Sequence, residues 1–231
     1  MKRLHFLVEG PTEREFVNSM LAPYLLGFNK ICDARLITSS RDWSSGRFYK
    51  GGITSYGKIR REIELAIKED HAADSFYTTM LDYYGLPSSF PGVGVGAGAA
   101  GPKAVVTGIE SAFLADVTRM FPSLSVGQFF IPNIMCHEFE TLLLAEPRKL
   151  ANYYPEQSNR LEALAEQVSQ VGDPELVNTS PTLAPSKRIL SVLPEYDKVT
   201  AGPLVALDIG LPTLRAQCSR VDDWITRLES L

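Results

Sequence analysis

Several carboxylates stand where an apolar run breaks off. Leu4–Val8 stops at Glu9 and turns through Gly10-Pro11-Thr12 to Glu13, and Tyr77–Leu81 stops at Asp82. Phe129–Met135 runs into Cys136-His137-Glu138-Phe139-Glu140. Charges are costly between an apolar strand and an apolar helix unless something compensates them, so these acids ask for a partner. Carboxylates converging from the ends of parallel strands offer the oxygen ligands of a hard cation, Mg²⁺ or Mn²⁺, which keeps waters for a substrate phosphate. His137 has no second histidine four residues away, so the likeness to a zinc helix fails, and it reads as a packing or hydrogen-bonding residue. Further along, Ser186-Lys187-Arg188 supplies cations. Lys187 or Arg188 brought back to the acids would stabilise charge developing on a phosphate. Taken alone, such a pair at a helix start is a surface feature.

The elements that must position these residues alternate. Strands are predicted at Leu4–Val8, Lys30–Thr38, Ser75–Leu81 and Phe129–Met135, the last broken by Pro132. Between them, Glu13–Leu21 (with Thr12 as its cap), Tyr56–Lys68 and Ala104–Met120 carry apolar faces at helical spacing. Strand–helix alternation predicts an α/β fold with a small, mainly parallel sheet flanked by helices. The acids then share the carboxyl edge of the strands, where such sheets bind ligands. A helical run is predicted at Thr141–Leu144. Beyond it, Pro147–Val177 is a charged helical segment, Thr179–Ile189 is extended and proline-rich, and Leu214–Leu231 is a closing helix. The division expected is a core, residues 1–146, and a mostly helical C-terminal extension, residues 147–231, that packs on it and supplies Lys187. Two loops carry open readings. Arg41–Gly52 holds Arg41, Arg47 and Lys50 and is either a phosphate-facing or a solvated loop. Leu86–Gly101, nearly all glycine and alanine from Gly92, is either a lid over the site or a flexible connector, and it lacks the Lys-Ser/Thr ending of a phosphate-binding P-loop.

An apolar fraction of 45% in 231 residues is enough for a real core. No apolar run approaches the roughly 20 residues of a membrane span. The basic start, Met1-Lys2-Arg3-Leu4, meets Glu9 too soon for a signal peptide. Cys32, Cys136 and Cys218 are scattered and odd in number. Together these features predict a reduced, cytoplasmic protein with no membrane partner. A net charge of −4 excludes a surface that coats polyanions generally, though not a local basic patch.

With those residues laid out, the chain resembles the Toprim-like proteins of the DUF4276 family. The likeness rests on Val8–Glu13, Asp82–Pro87, His137–Glu140, Pro185–Ile189 and the run Cys218–Leu228, in that order. More distantly it is similar to the Toprim nuclease domain of the OLD proteins, in which a strand-end glutamate and an Asp-x-Asp hold Mg²⁺. The resemblance implies a Toprim-like core with Glu9 as the first glutamate, Glu13 as the second acid of the OLD-like branch and Asp82 as the first position of Asp-x-Asp. Tyr84 occupies the second position, which puts a second metal ion in doubt, and Glu140, with Glu138, is the candidate to replace the lost ligand. Lys187 corresponds to the basic residue near the scissile phosphate. The implied activity is metal-dependent hydrolysis of DNA or RNA (tRNA included), in a bacterial defence effector working with an ABC- or AAA-type ATPase, with a homodimer as one expected state. The alternative is a non-catalytic module that binds a nucleotide or a partner protein.

Overall fold

In the computed structural model, residues 1–37, 55–94, 101–177 and 181–231 are described. The chain is mixed α/β. A five-stranded parallel sheet is formed by β1 (Lys2–Val8), β2 (Lys30–Leu36), β3 (Ser75–Asp82), β4 (Phe130–Ile131) and β5 (Ile134–Met135). The order is β2-β1-β3-β4, with β5 pairing the end of β3. β1 is flanked on both sides, Val8 pairing with Leu36 of β2 and Met80 of β3. From β1 the chain moves out to β2 on one side, then crosses to β3 on the other. The sheet therefore has its topological switch point between the carboxyl ends of β1 and β3. Pro132 splits the predicted last strand into β4 and β5.

Side chains alternate across a strand, and β1 divides them between two apolar layers. Leu4, Phe6 and Val8 face one layer, built from α1 (Pro11–Phe16), α2 (Ala22–Leu26) and the C-terminal helices. Leu7, with Tyr77 and Leu81 of β3, faces the other, built from α3 (Tyr56–Glu69) and α4 (Pro102–Met120). Ile59, Ile63 and Ile67 of α3 and Ile109, Phe113 and Val117 of α4 are buried at the helical spacing read in the sequence. Between α1 and α2 the helix widens into a π turn, Val17–Leu21. Pro23 follows directly, and a proline that lacks an N–H disturbs an α ladder where a π turn can absorb it. Thr12 is not the cap: Gly10 holds that position, and Thr12 is buried inside the first turn.

Beyond the sheet come two short 3₁₀ turns, Phe139–Thr141 and Leu143–Ala145, in place of the predicted helical run Thr141–Leu144. They are followed by α5 (Ser158–Val171), α6 (Pro185–Val192), α7 (Lys198–Ile209), α8 (Leu211–Gln217) and α9 (Ser219–Ser230). Two boundaries differ from expectation. The segment expected to stay extended as far as Ile189 turns helical at Pro185, since proline suits the first helical position. The closing helix is two helices, separated by the extended backbone of Cys218. Residues of this half share one apolar layer with β1 and the first helices. Trp224 of α9 packs edge-on against Phe6, at 5.9 Å between ring centres, and its Nε1–H donates to Thr78 Oγ1 of β3 at 2.9 Å. No helix among the described residues is long and apolar enough to cross a membrane. The loop Arg41–Gly52 and residues 95–100 of the glycine-rich segment lie outside the described residues. Phe90, at the start of that segment, is buried against Tyr56 and Phe113.

Candidate functional site

Glu9 is the first residue beyond β1, and the register of β1 on β3, with Val8 level with Met80, sets it beside Leu81, one residue short of Asp82. Its N–H donates to the Met80 carbonyl at 3.2 Å, and its Oε2 accepts from the Asp82 N–H at 3.2 Å. Gly85 makes the room: a Cβ there would lie 2.7 and 2.8 Å from the two Glu9 oxygens. Gly10 does the same for Glu13, where a Cβ would come within 2.9 Å of Oε2. Glu13 lies in the first turn of α1 and is buried. Asp82 ends β3, and Glu140 enters from the 3₁₀ turn after β5, 1% exposed.

The cation among them is Lys198. Asp197 caps α7 by accepting from the Val199 N–H at 3.0 Å, which fixes Lys198 at the first helical position. Lys198 Nζ then reaches Asp82 Oδ2 at 3.0 Å, Glu140 Oε2 at 3.3 Å and Glu13 Oε1 at 3.4 Å. Gly202, one turn further along α7, lets that helix approach α1: a Cβ there would meet Phe139, Tyr196 Oη and Thr12 within 3.4 Å. So Glu9, Glu13, Asp82 and Glu140, read from the sequence as one site, do converge. Lys187 does not join them; it is exposed, in a groove between α5 and α6. Glu138 Oε1 accepts from the Ser186 N–H at 2.6 Å and so caps α6. Tyr84 stacks on His137, with 5.4 Å between ring centres. His137 has a left-handed backbone (φ 66°), and its Nε2 meets the Glu175 carbonyl at 3.1 Å, a hydrogen-bonding role as read.

One ammonium does not satisfy four carboxylates. Asp82 Oδ1 and Tyr196 Oη are buried without a hydrogen bond, where buried polar atoms normally have one, and Glu13 Oε1 and Glu140 Oε2 are buried against the Lys198 ammonium alone among the described residues. Burial, then the charges of Asp82 and Glu13, pushes the Glu9 carboxyl up to about 8. Burial likewise raises Glu140 to about 7 against the pull of Lys198, and it raises Glu13 with help from Asp82. Burial opposes the Lys198 charge, but Asp82, Glu140 and Glu13 outweigh it and hold the ammonium above the usual lysine range. The cluster therefore takes up positive charge readily, as protons or as a cation. Its donors are the hard oxygens Mg²⁺ prefers, and Asp82 Oδ1 is buried with no hydrogen bond, so the residue types fit such an ion. Their spacing is that of a site closed on lysine: among the described residues no three acids, histidines or cysteines are gathered closely enough to hold a metal.

Sequence reasoning missed Lys198, Tyr196 and Gly202. Tyr196-Asp197-Lys198 has the composition of an ordinary polar turn, and nothing local ties it to Asp82, 116 residues earlier. The usable signal was indirect, since buried acids at two strand ends require a cation from somewhere.

No curated protein and no solved structure matches the chain. A family model described as "Domain of unknown function (DUF4276)" matches residues 8–229, from the last residue of β1 to the last turn of α9. That span includes every residue of the acidic cluster and Lys198, and the chain belongs to the DUF4276 family.

Proposed function

We propose that this chain is a metal-dependent nuclease, with the crevice between the ends of β1 and β3 as its Mg²⁺ or Mn²⁺ site. The observation that carries the reading is the convergence of Glu13, Asp82 and Glu140 there beside Glu9, four acids around one ammonium, with Asp82 Oδ1 buried and without a hydrogen bond. Glu9, Asp82 and Glu140 would hold the ion after closing on it more tightly than they stand around Lys198, with Glu13 as a further ligand or as the group orienting a water. When bound, the ion would polarise a phosphodiester and lower the pKa of a water. The protein's own part is to hold acids in a crevice walled by Phe139 and Tyr196 and to place Lys198 where charge grows on the phosphate. Lys198 thus takes the role expected of Lys187. The reading extends to a Toprim-like core acting in the cytoplasm as a defence effector with an ABC- or AAA-type ATPase. A homodimer fits the same reading.

A second reading has an observation of its own. Lys198 already sits between three of the acids, and Tyr84 stands where a further carboxylate would be, which suits a module that binds a nucleotide or a partner without cutting. Incubation of the protein with labelled DNA and tRNA in Mn²⁺, with and without a candidate ATPase, separates the two. Strand scission that disappears in Glu9→Ala is expected. Binding without scission under every condition would favour the module.

A further inference from the structure

A second feature lies outside the acidic crevice. One face of α5 and one face of α6 enclose a groove of about 360 Å³. Arg160 of α5 and Lys187 and Arg188 of α6 line it, over a floor that includes Leu164, Leu183 and Val192. Among the described residues no carboxylate lines it, although the chain as a whole is acidic at −4. Arg160 and Lys187 are exposed and form no ion pair among the described residues. Arg188 is held in place by donating Nε–H to the Leu183 carbonyl at 3.1 Å. Cations elsewhere on this surface are mostly paired, as Arg148 is with Glu162 and Arg35 with Glu69, so three together without an acid stand out.

The groove is joined to the crevice through one hydrogen bond. Ser186 N–H donates to Glu138 Oε1 at 2.6 Å, and Glu138 lies two residues from Glu140. Lys187 and Arg188 are the next two residues of α6, so the basic groove starts where the acid-bearing loop ends. Guanidinium and ammonium groups along a backbone track, with an apolar floor for sugars and bases, are the combination that holds single-stranded nucleic acid. The volume is at the low end of the roughly 300–1,000 Å³ of small-ligand pockets, narrow for a duplex.

We infer that the groove between α5 and α6 binds the phosphates of a single-stranded nucleic acid and leads the strand to the acidic crevice. The inference rests on the proposed nuclease reading for where the strand goes, but strand binding itself needs no metal.

The test is fluorescence anisotropy with a labelled single-stranded DNA and an RNA of the same sequence, in EDTA, across a salt series. Arg160→Gln with Lys187→Gln removes two phosphate contacts. Counterion release then lowers the salt slope by about 1.4 and weakens binding about 25-fold at 0.1 M salt. Both residues are exposed, so the melting temperature should not move. Arg61→Gln with Lys68→Gln removes the same charge from α3 and should leave the slope as it is. An equal loss in both double variants would reduce the effect to net charge and overturn the groove. So would wild-type protein that binds neither strand, or a mononucleotide that competes as well as the oligonucleotide per phosphate. Failure of the metal site reads out separately: Glu9→Gln should bind the strand like wild type whether or not it cleaves.

Discussion

Lys198→Gln is the perturbation that most directly probes the acidic cluster. The substitution shortens the side chain by one atom and removes its charge from Asp82, Glu140 and Glu13, which lie 3.0–3.4 Å away. Breaking a buried ion pair from one side costs about 3–5 kcal/mol. The lower end applies, because 34% of the Lys198 side chain reaches solvent, which screens it. For a chain of this size, about 3 kcal/mol corresponds to a fall in Tm of about 6–12 °C. The loss should depend on pH. Glu9, Glu13 and Glu140 have folded-state pKa values raised above 4.5, so the folded protein binds more protons than the unfolded chain above that pH. Their contribution is fully present below about 4.5 and is lost as pH rises toward 8. The variant, with no ammonium to offset the acids, should therefore trail wild type only slightly at pH 5 and fully at pH 8. Scanning fluorimetry in EDTA at both pH values measures this, and millimolar Mg²⁺ should restore the pH 8 deficit by binding the folded state. A variant as stable as wild type at pH 8, or one equally destabilised at both pH values, would refute the electrostatic argument.

Gly85→Ala should leave the fold intact, since the atoms in its way are the end of the Glu9 side chain, but it should displace that carboxylate and weaken Mg²⁺ binding at least about ten-fold, by calorimetry. Unchanged affinity would remove Glu9 from the ligand set. Trp224→Phe deletes the hydrogen bond to Thr78 and should cost about 1 kcal/mol. That is about 2–4 °C in thermal unfolding. It should leave metal binding untouched, because α9 supports the sheet on its apolar layer rather than the crevice. Metal affinity should rise with pH between about 6 and 8 as the Glu140 and Glu9 protons, with pKa values of about 7 and 8, become easier to displace. Titration in buffers of different ionisation enthalpy would show the released protons.

The parts legible in the sequence were those with local signals. Glu9 and Asp82 each end a largely apolar run, and a parallel sheet brings such ends to one edge, so their meeting followed from topology. The α3 and α4 faces were legible from isoleucine and valine spacing. What stayed hidden depends on contacts across the chain. Lys198 looks like any lysine in a turn until α7 is laid on α1, and that approach depends on Gly202 having no side chain to strike Phe139. Lys187 stays outside the cluster for a related reason. Its helix is attached to the site loop through Ser186 and Glu138, so it neighbours the crevice but points elsewhere. Thr12 had the right chemistry for a cap, but Pro11 fits the first helical position, which places Gly10 at the cap and Thr12 inside the helix.

The central claim, that the cluster at the switch point is a divalent-cation site, is tested most directly by calorimetric titration of Mg²⁺ and Mn²⁺ into wild type, Glu9→Ala and Asp82→Ala at pH 8. Saturable binding to the wild type that vanishes in both variants is the expected result. Wild-type protein that binds neither ion, alone or with a single-stranded oligonucleotide present, would contradict it and leave Lys198 as the cluster's permanent cation.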